Sequence, residues 1–156
     1  MKFGKITLVH GMLFVVGIIA TAHEAGATLG ESATSVESDR MALSAVRRAT
    51  TAREAYTVHE VKSDASAVRE YVSSAGVIFA VAWNGLTHPD LKPLLGSFDG
   101  EYRQALRQTH RILGRRHLTV RSERLVVEKW GHMRNQQGRA YVPTLIPSGV
   151  SIDEIK

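Results

Sequence analysis

Cysteine is absent from the 156 residues. This excludes disulfides, thiolate metal sites, cysteine nucleophiles and a lipidated N-terminal cysteine, so packing and hydrogen bonding must hold the fold together. The usual hydrolase and metal signatures are missing as well. No G-x-S-x-G occurs: Gly96 directly precedes Ser97, and Gly100 lies one residue too far on. There is no H-E-x-x-H and no H-x-H pair. His59 and Glu60 are adjacent on a predicted strand, so they point to opposite faces and cannot grip one ion. The pattern therefore predicts no metal and no cofactor.

A long hydrophobic run is also lacking. Ile6 to Ala20 is mostly apolar but is interrupted by Thr7, His10 and Gly11, and it falls short of the about 20 residues a membrane-spanning helix needs. Lys2 and Lys5 precede it, and Ala20-Thr21-Ala22 and Ala25-Gly26-Ala27 follow as small-residue cleavage patterns. This is the order of a secretory signal. The expected organisation is a signal over residues 1–27, a small polar entry segment over 28–37, and a single domain over 38–156. Localisation is then periplasmic or secreted, with no membrane span left after cleavage.

Acidic residues are scarce where arginines are dense. Seven of the 14 arginines lie between Arg103 and Arg124, with Glu123 as the one acid after Glu101 in that stretch. Arg103, Arg107 and Arg111 recur every four residues on a predicted helix over Asp99–Leu113 that Gly114 should stop, and Arg115 and Arg116 follow. Guanidinium groups bind phosphate and carboxylate bidentately, so these five are candidate anion contacts. The plainer alternative is a solvated basic face. Export and the lack of an aromatic stacking pattern argue against nucleic acid.

The remaining pattern predicts an antiparallel sheet. A helix capped by Ser38 or Asp39 carries Met41, Ala42, Ala45, Val46 and Ala49 at helical spacing. Tyr56–Val61, Ala67–Val72 and Val77–Trp83 read as strands, the last almost wholly apolar and so interior. Their short links force antiparallel hairpins. His117–Arg121, Leu125–Trp130 and Gly138–Val142 follow, with 131–137 as a loop and a short terminal helix around Ile152 and Ile155. The expected class is α+β: five to six antiparallel strands with one or two helices on one face, in one arrangement a cystatin-like roll, and the other face able to stay wet.

Several strings carry a resemblance. They are Tyr56-Thr57-Val58-His59-Glu60, Val68-Arg69-Glu70-Tyr71-Val72, Gly76 through Gly85, Pro89-Asp90-Leu91, His132-Met133-Arg134, Gly138-Arg139-Ala140-Tyr141 and Pro147-Ser148-Gly149-Val150. In this order they resemble the bacterial family known as domain of unknown function 2844, across essentially the whole mature chain. The resemblance implies a small exported protein of Gram-negative bacteria. It implies no activity and carries over no catalytic residue.

Arg69, Glu70, Trp83, Asp90, His132 and Arg134 are the candidate polar-site residues. His132 and Arg134 would share a face if locally extended, and Trp83 or Trp130 could wall the site. The structural alternative has Arg69 and Glu70 in cross-strand ion pairs, the tryptophans in the core and Asp90 as a helix-terminus charge. Three functions follow. The first is a non-enzymatic exported accessory domain contacting an anionic envelope component or partner protein. The second is a small envelope hydrolase or lyase drawing acid–base residues from Glu70, Asp90, His59 and His132. The third is a structural or inhibitory module pairing through a sheet edge.

Overall fold

A computed structural model describes residues 29–32, 46–110, 112 and 114–156. The expected signal and the expected helix up to residue 45 fall outside these, apart from a short piece at 29–32. There, Leu29 is fully buried in the core and Ser32 bridges to Val77.

Among the described residues seven strands form one fully antiparallel sheet: β1 (Val46–Ala52), β2 (Tyr56–Lys62), β3 (Ser66–Ser73), β4 (Ile78–Gly85), β5 (His117–Arg121), β6 (Val126–His132) and β7 (Asn135–Tyr141). Their spatial order is β1-β2-β3-β4-β7-β6-β5. The short links after β2 and β3 do make hairpins, and the apolar β4 is interior, flanked by β3 and β7. The α+β description holds in outline, with more sheet than expected: seven strands rather than five to six.

The extra sheet, one added strand and one lengthened hairpin, has physical causes. Val46 to Ala49, placed at the end of a helix by spacing, is instead the start of β1, paired through residue 52 with β2. Thr50 and Thr51 favour extended backbone, and the exposed edge of β2 supplies the hydrogen bonds. The segment 131–137 is not a loop. β6 continues to His132, Met133 and Arg134 turn the chain, and β7 begins at Asn135. Asn135, Gln136 and Gln137 are poor strand formers, but β7 is hydrogen-bonded on both sides, to β4 and β6.

Between β4 and β5 the chain crosses one face of the sheet as α1 (Leu91–Leu95), a tight 310 turn and α2 (Asp99–Gln108). Asp90 caps α1 by accepting from the Lys92 N–H at 3.0 Å. The helix α2 stops at Gln108, well before Gly114. Thr109 turns extended, and its hydroxyl bonds back to the Ala105 carbonyl at 2.8 Å. Leu91, Leu94, Leu95, Phe98, Tyr102 and Ala105 pack on Val61, Val68, Val81, Trp83, Val127 and Ala140.

The opposite face is not left wet. Tyr56, Tyr71, Phe79, Val126 and Tyr141 form a second cluster on which Ile146, Val150 and Ile155 lie. The C-terminal segment is tied down there. Tyr71 Oη donates to the Lys156 carbonyl at 2.9 Å, and Arg139 Nη1 donates to the Ile152 carbonyl at 2.7 Å. Ile152–Glu154 forms a 310 turn rather than an α-helix, closed by a capping box between Ser151 and Glu154.

Candidate functional site

The strand order decides which residues meet. Because β7 lies between β4 and β6, the end of β4 (Gly85), the β6–β7 turn and the start of β5 all lie at one end of the sheet: Gly85 pairs with Gln136, His132 with Asn135 and His117 with Trp130. The loop bearing Arg115 and Arg116 enters β5 at this same end.

Three cavities meet at His117 and Trp130. The first, about 530 Å³, is lined by His88, Tyr102, Arg115, Arg116 and Lys129 among others. The second, about 370 Å³, adds His132, Asn135 and Gln137. The third, about 450 Å³, lies toward the C-terminal segment and includes Glu128, Arg139 and Asp153. The first two have no carboxylate in their lining. Among the described residues neither Arg115 nor Arg116 has a carboxylate within ion-pair distance. Arg116 Nη1 donates to His132 Nδ1. A guanidinium can only donate, so His132 accepts there as the Nε2–H tautomer.

The same logic applies to His88. Trp83 Nε1–H donates to His88 Nδ1 at 2.9 Å, which leaves the proton on Nε2. Burial first, and then the nearby Lys129 charge, push the His88 pKa below its ordinary 6.5. His88 is therefore a neutral wall of the first cavity. Lys129 adds positive charge beside it while its ammonium sits 5.5 Å from the Tyr102 ring centre.

The predicted contacts separate into groups. Arg103 is held by Asp99 one turn back at 2.7 Å. Arg107 lies in the last turn of α2, where the helix dipole favours a cation. Arg111 lies outside the described residues; α2 itself carries Arg103 and Arg107. Arg124 is held by Glu101 at 2.7 Å, and Arg139 by Glu128 at 2.6 Å. Glu101 also accepts from Ser122 Oγ and the Arg124 N–H. The Ser122 bond foremost lowers its pKa below the usual carboxylate value.

The six polar-site candidates do not form one site. Glu70 is fully buried on the helix side of β3, in register with His59 of β2. Arg69 points to the other face and donates to Asn84. Trp83 is 1% exposed and belongs to the core. Asp90 is the α1 cap, exposed to solvent. His132 lines the second cavity. Arg134 sits in the β6–β7 turn with φ 63°, so the extended run that would put His132 and Arg134 on one face is interrupted after His132. Neither Glu70, His59 nor Asp90 lines any of the cavities above. Trp130 is the residue that sequence reasoning underused: it is half-buried, lines all three cavities and donates to Gln137 at 3.2 Å. Its place beside His117 follows from the β5–β6 register, which the sequence does not print.

Among the described residues no group of three or more histidines and carboxylates is placed to hold a metal ion. No helix among them is long and apolar enough to cross a membrane. The model of a family described as "Protein of unknown function (DUF2844)" matches residues 25–155. The chain belongs to this family. No curated protein matches it, and no solved structure does.

Proposed function

We propose that this DUF2844 chain is an exported, non-enzymatic accessory domain that contacts an anionic envelope component through the end of its sheet. The observation that carries the reading is the pair Arg115 and Arg116. They line two adjoining cavities without a carboxylate in their lining, whereas Arg103, Arg124 and Arg139 are each paired with one. Lys129 and the ring N–H groups of His88 and His132 add to an anion-favouring lining. Export is supported by the basic and apolar order of the first 22 residues and by a family match that begins at residue 25.

The test is retention on envelope fractions and on a soluble-polyanion resin across a salt series. A basic side chain near an anionic surface contributes about 1 kcal/mol. Replacing Arg115 and Arg116 together by Gln should therefore weaken retention roughly thirty-fold, while the Arg103→Gln, Arg107→Gln pair changes it several-fold less. Equal loss from the two pairs, or retention that salt does not touch, would refute the assignment.

A further inference from the structure

Five large apolar side chains are exposed among the described residues: Leu86, Ile112, Met133, Leu145 and Ile152. Single exposed apolar residues need no explanation. Three of these, however, converge on the basic end of the sheet. Leu86 follows β4 directly, Met133 is the tip of the β6–β7 turn, and Ile112 precedes Arg115 in the loop that enters β5. Met133 is 94% exposed, Leu86 55% and Ile112 52%. Arg134 and Leu86 line one cavity with Lys62 and Asp64, and Ile112, Arg115 and Arg116 line another.

From this juxtaposition, and resting on the proposed function, we infer that the anionic partner is a lipid surface, onto which the molecule docks end-on with Met133, Leu86 and Ile112 entering the headgroup layer between Arg115, Arg116 and Arg134. The chemistry is the pairing that membrane-surface binding uses: apolar side chains for the acyl boundary, flanked by cations for anionic headgroups. A soluble polyanion would be served by the arginines alone and gives the exposed Met133 no role. The turn tip makes no hydrogen bond through its Met133 side chain, so it can enter the headgroups without disturbing β6 or β7. Phospholipid phosphate and lipid A phosphate present the same chemistry, and separate vesicle compositions distinguish them.

The experiment compares the whole chain with its Met133→Ser and Leu86→Ser variants on three supports. These are vesicles of phosphatidylglycerol with phosphatidylethanolamine, vesicles carrying lipid A, and polyglutamate resin. Burying a methionine side chain corresponds to roughly ten-fold or more in partitioning. Met133→Ser should weaken binding to at least one vesicle type by about that factor, Leu86→Ser by several-fold, and neither should alter polyglutamate retention. The N-terminal segment is common to all variants. In case it holds every variant on the vesicles, a Met133→Trp variant reports directly: its added indole emission should shift to the blue with vesicles and be quenched by brominated lipid. Vesicle and polyglutamate retention that are equal, salt-removable and indifferent to Met133→Ser would overturn the lipid inference and leave the anion contact standing. An unshifted Met133→Trp emission on vesicle-bound protein would do the same. Loss of retention on all three supports would overturn both.

Discussion

One substitution, glycine to alanine, should act with opposite signs at two positions. In β7, Gly138 lies under the indole of Trp83. An added Cβ would sit 2.3 Å from Trp83 Cζ2 and 2.6 Å from both Trp83 Cε2 and the Glu128 carbonyl oxygen. Neither neighbour can withdraw. The Trp83 ring is 1% exposed and held through His88, and the Glu128 carbonyl belongs to the backbone of β6, the strand alongside. Overpacking of this kind costs about 1–3 kcal/mol and occasionally more. Two simultaneous overlaps, one with backbone, place the cost at the upper end. The entropic gain of removing a glycine returns only about 0.4–1 kcal/mol. The expected net loss is about 2–3 kcal/mol, a fall in melting temperature of roughly 10 °C. Gly100, in α2, has nothing within 4 Å of its would-be Cβ. There alanine should stabilise by about 1 kcal/mol through helix propensity. Urea melts with unchanged slopes would read both. If Gly138→Ala kept the wild-type midpoint, the placement of Trp83 across β7 would be wrong, and with it the pairing of β4 with β7.

Three further predictions test the elements that hold the site. Glu101→Gln should cost about 1–2 kcal/mol, because Gln keeps one acceptor but loses the charge that Ser122 and Arg124 bond to. Its pKa is depressed in the folded state, so this contribution is present above the ordinary 4.5 and is lost as pH falls below it. The acid limb of a stability–pH curve should be shallower in the variant. Ile155→Ala should cost about 2–4 kcal/mol in denaturant melts, since the side chain is fully buried between the C-terminal segment and the sheet. His88, whose pKa is also depressed, should contribute stability that is present above its ordinary 6.5 and is lost as pH falls below it. A ring titrating at 6.5 or above by NMR would contradict the Trp83 hydrogen bond.

Much of the sheet is legible in the sequence because local pattern and tertiary pairing agree there. β4 is nearly all apolar, and the links after β2 and β3 are too short for anything but hairpins. Where pattern and pairing disagree, pairing wins. Val46 and Ala49 have helical spacing, but a strand edge waits beside them. Asn135 to Gln137 read as a loop, but two strands bracket them. Val68, Glu70 and Val72 alternate with Arg69 and Tyr71 and share one side, yet nothing local says that this is the side the helices cover. Glu70 is therefore a fully buried carboxylate on the core side rather than part of an open polar site. Met133, Leu86 and Ile112 were invisible as a group because they lie 47 residues apart at the extremes and only the strand order brings them together.

The arginine cluster shows why a count of charges along the chain is not a field on the surface. Of the seven arginines from 103 to 124, Arg103 and Arg124 are neutralised by Asp99 and Glu101, two acids of the first turn of α2 that sit just upstream of the dense stretch. Helix formation makes the first pairing, because residues 99 and 103 are one turn apart. Sheet formation makes the second, by bringing the β5–β6 turn under the helix N-terminus. Arg115 and Arg116 escape both, since the chain leaves α2 at Thr109 and reaches β5 at the far end of the sheet. The β5–β6 pairing sets the Met133 turn beside them, and the insertion of β7 between β4 and β6 sets it beside Leu86. Had the strands followed chain order, with β5 next to β4, the three segments would still meet at this end, but Arg115 and Arg116 would stand between Leu86 and the Met133 turn. The side-by-side placement of Leu86 and the Met133 turn is thus a product of topology: it depends on the β4–β7 pairing, the same pairing that Gly138→Ala puts under strain.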